Sequence, residues 1–169
     1  MQHRVVRKQP NSKMCLVCGL ENGSGLRAGF YELESGELLA LFTPCAAHQG
    51  YPGRLHGGIA MGILDETIGR AVMIGHDDDF WGVTVEFSAK LRKAIPLDVE
   101  LKVIGRITGE SHRLFKGTGE ILLPDGTVAA TGHGVYMKLP LSRIADSDIV
   151  EQGWRVVGLD GDPREVTLP

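Results

Sequence analysis

The longest run of apolar positions at helical spacing predicts one helix over about residues 57–74. Apolar side chains recur there at three- and four-residue intervals, and no proline interrupts the run. Because apolar positions occupy most of the helix circumference, the rest of the fold must surround this helix.

On both sides of the predicted helix the pattern changes to a two-residue period, which is typical of strands. Two strands around a Gly-containing turn are predicted before the helix, within residues 27–42. Four more are predicted after it, over about residues 83–91, 97–103, 112–123 and 127–139. Short turns between consecutive strands indicate an antiparallel meander. The sequence therefore predicts an α+β fold, with an antiparallel sheet wrapped around one long central helix.

Length and charge limit the possible function classes. The 169 residues suffice for one domain, predicted over residues 15–139, between a flexible segment 1–14 and an extension 140–169 with a short helix near 143–152. A net charge of −3 gives no indication of a nucleic-acid partner. No apolar run reaches the roughly 20 residues of a membrane-spanning helix, and no secretory signal is recognisable. We therefore expect a cytoplasmic protein with no membrane partner.

Asp65 is the strongest candidate for chemistry, because it lies inside the predicted helix beside a stripe of glycines. At 100° per residue, three of them lie within about 60° of it: Gly58, Gly62 and Gly69. Aspartate and glycine are both poor helix formers, so the stripe indicates that a ligand or another backbone approaches the acid closely. The alternative is a solvent-facing aspartate, an interpretation that suits Glu66 and Arg70 as an i,i+4 surface ion pair.

The start of the helix is the second candidate, with the sequence His56-Gly57-Gly58. The first helical turn leaves backbone N–H groups unpaired, and the helix dipole favours negative charge there. A developing oxyanion could bind these N–H groups, although an ordinary glycine-containing junction is the equally weighted alternative. On the polar face of the next strand, the Thr84 hydroxyl could hold a carboxylate or water, but threonine is also a common strand residue.

The three cysteines are Cys15, Cys18 and Cys45. An odd number argues against a disulfide-stapled secreted domain. Zinc usually takes four ligands, and a second CxxC pair is lacking, although Cys45 and His48 could complete a site in space. A redox pair would be expected at a helix start within a βαβ unit, which is not predicted here. We therefore expect two ordinary thiols in an N-terminal turn and no metal.

The segment HQGYPGRLHGGIAMGILDE, residues 48–66, resembles the signature of hotdog-fold thioesterases of the phenylacetic-acid-degradation (PaaI-like) type. That family carries His-Gly-Gly followed by an acid nine residues after the histidine. Residues 15–20, 24–26, 82–86 and 91–96 resemble flanking segments of the family, so the resemblance covers about residues 15–139. It implies a hotdog fold.

The resemblance also implies roles for four residues. Asp65 would act as a base on water or as a nucleophile on the thioester. The backbone N–H of Gly57 would polarise the thioester carbonyl, and His56 would line the site. Thr84 would orient the water or the acid from across a dimer interface.

One position departs from the family, because relatives often carry an asparagine shortly before His-Gly-Gly and this chain has Gln49-Gly50 there. Gln49 could substitute for that asparagine. Together with Gly58, Arg92 and Lys93, it is expected to bind substrate, the two basic residues by contact with phosphate groups. The alternative for the basic pair is a solvated strand end.

The sequence thus predicts hydrolysis of an acyl-CoA or related thioester, without a cofactor, by a homodimer or homotetramer. A non-catalytic acyl-CoA-binding hotdog protein is the alternative. A hotdog hydratase or dehydratase would need a different arrangement of acid and histidine, which is not found.

Overall fold

The computed structural model describes residues 1–76, 80–145 and 150–169. Within them it has one α-helix, α1 (Gly57–Arg70), which continues as a 3-10 turn (Ala71–Met73). The strands are β1 (Gln2–Lys8), β2 (Gly29–Leu33), β3 (Leu38–Phe42), β4 (Trp81–Leu91), β5 (Leu101–Glu110), β6 (Leu114–Leu122), β7 (Val128–Leu139) and β8 (Glu165–Thr167). They form one antiparallel sheet in the order β4-β7-β6-β5-β3-β2-β1-β8. The predicted α+β architecture is confirmed.

Helix α1 packs against one face of this sheet through fully buried side chains that include Ile63, Leu64 and Ile68. Glycines in β6 allow the close approach. A Cβ atom on Gly117 would lie 2.5 Å from Ile68 Cγ2, and one on Gly119 would lie 2.9 Å from Ile68 Cγ1. Larger residues there would push the helix away from the sheet.

The strand order after the helix differs from the predicted four-strand meander. Strands β5, β6 and β7 do form a meander, but β4 pairs with β7 at the edge of the sheet and not with β5. The β4–β5 connection is held by the loop that precedes α1. Leu55 N–H donates to Ile95 O at 2.9 Å, and Asp98 N–H donates to Pro44 O at 2.7 Å. These contacts occupy residues 95–98, so β5 begins at Leu101 and not at residue 97.

Strand β4 contains a β-bulge that changes which residues face the helix. Its pairing with β7 shifts by one residue between Thr84 and Glu86. After the bulge, Phe87 and Ala89 pack against the core, whereas before it Thr84 faces α1 and Val85 is 58% exposed. The uninterrupted alternation, which placed Thr84 on the face away from the core, is therefore wrong at this end of the strand.

The segment 1–14, expected to be flexible, is part of the sheet. Strand β1 pairs with both β2 and β8, and Asn11 is buried, with its side-chain amide donating to Cys18 O at 2.8 Å and Ala28 O at 3.0 Å. Backbone pairing and polar contacts stabilise this segment, so it needed no apolar face that the pattern could reveal.

The extension 140–169 also joins the domain, through β8 and through Trp154, whose ring meets that of Trp81 edge to face at 4.6 Å. Four residues of the predicted helix near 143–152, residues 146–149, lie outside the described residues; a 3-10 turn, Leu141–Arg143, precedes them. No helix in the described parts of the chain is long and apolar enough to cross a membrane. The cytoplasmic location stays a prediction.

Candidate functional site

Asp65 lies in the middle of α1, facing the pair of strands β4 and β7. The Thr84 hydroxyl donates to its carboxylate, with Oγ1 3.0 Å from each oxygen. The Tyr136 hydroxyl donates to Asp65 Oδ1 at 3.0 Å. Thr84 and Tyr136 are directly opposite each other in the β4–β7 ladder, so one cross-strand pair supplies both donors.

Burial raises the pKa of Asp65 above its usual range, and the hydrogen bonds from Thr84 and Tyr136 offset this only in part. Burial and the neighbouring carboxylate also raise the pKa of Tyr136, so its hydroxyl stays a donor. Beside the carboxylate is a small cleft of ≈ 50 Å³, between α1 and β4, which is large enough for a water molecule. A carboxylate with a raised pKa next to such a cleft is suited to take a proton from water.

Tyr136 was not among the residues predicted from the sequence. Its ring is fully buried and stacks on Phe115, with 4.9 Å between centroids. The alternation in β7 places it on the inner face, but alternation cannot tell which helix residue it meets. The available signal was a hydroxyl-bearing side chain at an inward-facing position, which needs a polar partner when buried.

The glycines beside Asp65 serve two purposes. A Cβ atom on Gly69 would lie 3.2 Å from the Tyr136 ring, and one on Gly82 of β4 would lie 2.5 Å from Gly69 O. The predicted close approach of another backbone is therefore confirmed at Gly69. Around Gly62, by contrast, no described atom outside its chain neighbours and the backbone of its own helix lies within 4 Å of the added Cβ position, so this part of the stripe faces open space.

At the start of α1, His56 is the N-cap, and its ring Nδ1 accepts from Gly58 N–H at 3.0 Å. The predicted substrate-binding N–H of Gly58 is thus already used within the helix cap. No acceptor for Gly57 N–H is present in the described part of the chain. A Cβ atom on Gly57 would lie 2.9 Å from Leu91 Cδ1, which is the end of a flexible side chain. Gly57, and not Gly58, retains a free oxyanion donor.

The candidate residues form two groups within one chain. Asp65 and Gly57 are separated by eight positions of the same helix, about 12 Å at 1.5 Å per residue. One thioester carbonyl cannot contact both of them. Thr84, in contrast, meets Asp65 within the same chain, which corrects the expectation that its hydroxyl comes from across a dimer interface.

The remaining predicted residues lie at the N-terminal end of α1 and its loop. Gln49 is exposed, and its side-chain oxygen accepts from Gly53 N–H at 3.3 Å within the loop. Arg92 and Lys93 are exposed and follow Leu91, the residue that touches Gly57. Their substrate-binding roles stay predictions.

The expected partners for a zinc site are not brought to the CxxC pair. His48 is buried, with Nδ1 accepting from Cys45 N–H at 3.0 Å and Nε2 3.1 Å from Ser24 O. His48 therefore holds the loop before the helix. Cys45 is exposed.

Instead, Cys15 and Cys18 meet Glu66 of α1, with one ligand-type atom of each within 4.8 Å of the others. The cation at this cluster is a side chain. Arg70 donates from Nε to Glu66 Oε1 at 2.7 Å and from a terminal nitrogen to Cys18 Sγ at 3.1 Å. Only 3% of Arg70 is exposed, so the predicted surface ion pair exists but is buried on the arginine side.

Comparison with known proteins relates this architecture to thioesterases. The family described as Thioesterase superfamily matches residues 52–130. Among solved structures, the thioesterase superfamily protein RHA08564 is 27% identical with a TM-score of 0.66; the match covers 73% of this chain and 59% of RHA08564, less than two thirds of its length.

A conserved protein, PA5202 from Pseudomonas aeruginosa, is 25% identical with a TM-score of 0.56, covering 62% of this chain and 82% of its own. A hypothetical thioesterase with coenzyme A from Streptococcus pneumoniae TIGR4 is 20% identical with a TM-score of 0.57. The match covers 62% of this chain and 84% of that protein, and it supports the fold alone. No curated protein matches the sequence. The predicted hotdog fold is confirmed; the PaaI-like type stays a prediction.

Proposed function

We propose that the chain hydrolyses an acyl-CoA or related acyl thioester to a free acid and a thiol, because its residues 52–130 match the family described as Thioesterase superfamily. The observation that carries this proposal is the partly desolvated Asp65 carboxylate beside a water-sized cleft, held by two hydroxyl donors. A thioester carbonyl is already activated, so a positioned base and one oxyanion donor suffice.

In the proposed reaction, Asp65 takes a proton from water, and the resulting hydroxide adds to the thioester carbonyl. The tetrahedral oxyanion accepts a hydrogen bond from Gly57 N–H at the positive end of the helix dipole. Collapse of the intermediate expels the thiolate, which takes up the proton. Attack by the carboxylate itself is the alternative route and would form a mixed anhydride first.

We further propose that the protein is at least a dimer and that each site uses two subunits. The Asp65–Gly57 separation of about 12 Å within one helix motivates this proposal. Strand β4 is an 11-residue edge strand whose Val85 and Leu91 are 58% and 49% exposed, whereas the opposite edge ends in the three-residue β8. A long exposed edge is a template for pairing, and a two-fold axis beside α1 would bring Gly57 of the partner subunit toward Asp65.

The activity is tested by following free thiol release from short-chain, long-chain and aromatic acyl-CoAs, because the sequence does not identify the acyl group. Turnover that Asp65→Asn lowers by about 10²-fold or more supports hydrolysis. Acyl-CoA binding without turnover would instead support the non-catalytic alternative. The Streptococcus pneumoniae protein of the same fold was solved with coenzyme A, which makes CoA esters the first panel to use.

The two-subunit site is tested by mixing two inactive variants. Gly57→Pro removes the N–H and adds a ring whose Cβ requires the flexible Leu91 side chain to shift. The backbone accepts the change, since proline suits the first helical position and His56 has the extended ψ of 132° that precedes proline readily. If each site combines Gly57 and Asp65 from different chains, co-expression of Gly57→Pro with Asp65→Asn leaves one intact site in each mixed dimer. Random mixing then restores about a quarter of wild-type activity. No restoration in proven mixed dimers, or a monomer at micromolar concentration, refutes the arrangement.

A further inference from the structure

The CxxC turn has a geometry that the proposed hydrolysis does not use. Gly19 N–H donates to Cys15 O at 2.8 Å, and a Cβ atom on Gly19 would lie only 2.3 Å from that oxygen, so the tight turn requires glycine. The N–H groups of Val17 and Cys18 lie against Cys15 Sγ, at 3.4 Å and 3.5 Å. The backbone thus directs two donors at one sulfur atom.

The two thiols differ in exposure and in partners. Cys15 is half-buried, whereas Cys18 is fully buried and accepts from Arg70 at 3.1 Å. Hydrogen bonding from Cys18 lowers the pKa of Cys15 to about 6, against the opposing effects of burial and of Glu66. For Cys18, the hydrogen bond with Cys15 and burial raise the pKa, against the opposing effect of the positive charge on Arg70. The two backbone N–H groups directed at Cys15 Sγ thus favour the thiolate on Cys15 and the proton on Cys18.

This turn replaces the helix start that a redox pair commonly uses. Backbone N–H groups of the turn face Cys15, and the guanidinium of Arg70 reaches Cys18 from α1. Arg70 is itself fixed by Glu66, by Pro10 O at 2.8 Å, and by the ring of Phe30, 4.4 Å away. These contacts hold the positive charge of Arg70 in place beside Cys18. Because this turn directs donors at the thiols without a βαβ unit, the lack of such a unit in the described residues does not argue against reactive thiols.

From this arrangement we infer that Cys15 and Cys18 form a reversible redox site, at which a hydroperoxide oxidises the pair to an intramolecular disulfide. The Cys15 thiolate attacks one oxygen of the peroxide, and the O–O bond breaks. The other oxygen takes a proton and leaves as water or an alcohol, and Cys15 becomes a sulfenic acid. The Cys18 sulfur then displaces the sulfenic oxygen as water and forms the S–S bond. Two electrons pass from the two thiols to the peroxide, and a dithiol such as dithiothreitol restores both thiols.

The test treats reduced, chelator-washed wild-type protein with one equivalent of hydrogen peroxide and maps the products by mass spectrometry. The expected result is a loss of 2 Da in the single peptide that contains both Cys15 and Cys18, before Cys45 is oxidised, although Cys45 is the exposed thiol. Dithiothreitol reverses the change. The wild-type chain carries this test, so it does not depend on a variant that folds.

Three variants sharpen the assignment. Cys18→Ser should trap the Cys15 sulfenic acid for dimedone labelling, and Cys15→Ser should leave the buried Cys18 unreactive. Cys45→Ser is the matched control and should form the disulfide at the wild-type rate. Oxidation of Cys45 ahead of the pair overturns the inference. So does over-oxidation of Cys15 without a disulfide, or one zinc ion per chain that must be removed before peroxide reacts.

Discussion

Replacing Asp65 by asparagine should separate the chemistry of the site from its architecture. The substitution keeps the side-chain volume, and the remaining amide oxygen can still accept from the Tyr136 hydroxyl. The Thr84 hydroxyl can turn to accept from the new amide nitrogen, because a hydroxyl both donates and accepts. The variant should therefore fold and bind acyl-CoA, but an amide neither takes a proton from water nor attacks a carbonyl.

We expect turnover to fall by about 10²-fold or more, the usual effect of removing a positioned base. Such a fall corresponds to about 2.7 kcal/mol of barrier. Stability should move in the opposite direction. The raised pKa of Asp65 means that folding disfavours its ionised form, so the native state loses stability as pH rises through the interval between the unfolded and folded pKa values. At pH 7 asparagine does not carry that cost, and the melting temperature should be unchanged or higher.

Glu66→Gln is the matched control, one position along the helix and about 100° around it. Glutamine can still accept from Arg70, but the buried guanidinium loses its counter-charge, which should cost about 1–3 kcal/mol of stability. Turnover on the best acyl-CoA should change little. In a thiol-release assay Asp65→Asn should therefore lose turnover and Glu66→Gln should keep it. In a thermal melt Glu66→Gln should lose stability and Asp65→Asn should keep it. Near-normal turnover of Asp65→Asn would refute the assignment and direct the search to Glu66.

Two further variants test neighbouring assignments. Thr84→Ala should lower turnover by about 10-fold, the scale of one lost hydrogen bond near a reacting group, and an unchanged rate would make this hydroxyl structural only. The double variant Cys15→Ser, Cys18→Ser should keep turnover within a few-fold under reducing conditions, because the pair lies outside the proposed catalytic groups; a collapse of activity in folded variant protein would contradict this.

The sequence was most informative where structure depends on near neighbours. The period of apolar residues located α1, and the Gly-containing turn located the β2–β3 hairpin, because both patterns arise within one or two turns of chain. Asp65 was identifiable because aspartate and glycine disagree with helix propensity at that point. A residue that disagrees with its local pattern can be recognised as a candidate site residue without knowledge of the fold.

Features fixed by distant contacts were not predictable in the same way. The pairing of β4 with β7 and the bulge at Val85 depend on which strand lies alongside, which alternation does not encode. The burial of Arg70 depends on the CxxC turn and the aromatic rings that enclose it, so its i,i+4 spacing to Glu66 suggested a surface pair. Strand β1 carries few apolar residues because its stability comes from its neighbours.

Tyr136, the site residue that the sequence did not reveal, provides a test that distinguishes positioning from packing. Tyr136→Phe keeps the buried ring and its stacking but removes the donor to Asp65 Oδ1. That hydrogen bond lowers the pKa of Asp65, so its loss should raise this pKa further and move the acid limb of the kcat/KM profile to higher pH.

Above that limb the ionised fraction recovers, so the Tyr136→Phe rate should approach the wild-type plateau if the hydroxyl acts only through Asp65. Tyr31→Phe is the matched control, because Tyr31 donates to Asp162 at 2.7 Å, among residues outside the candidate site. It removes the same group from a comparable tyrosine–carboxylate pair and should leave the acid limb in place. Equal profiles for Tyr136→Phe and the wild type, measured by thiol release across the acid range, would contradict this role. A purely structural effect would lower the rate equally at every pH, because lost packing does not change with the ionisation of Asp65.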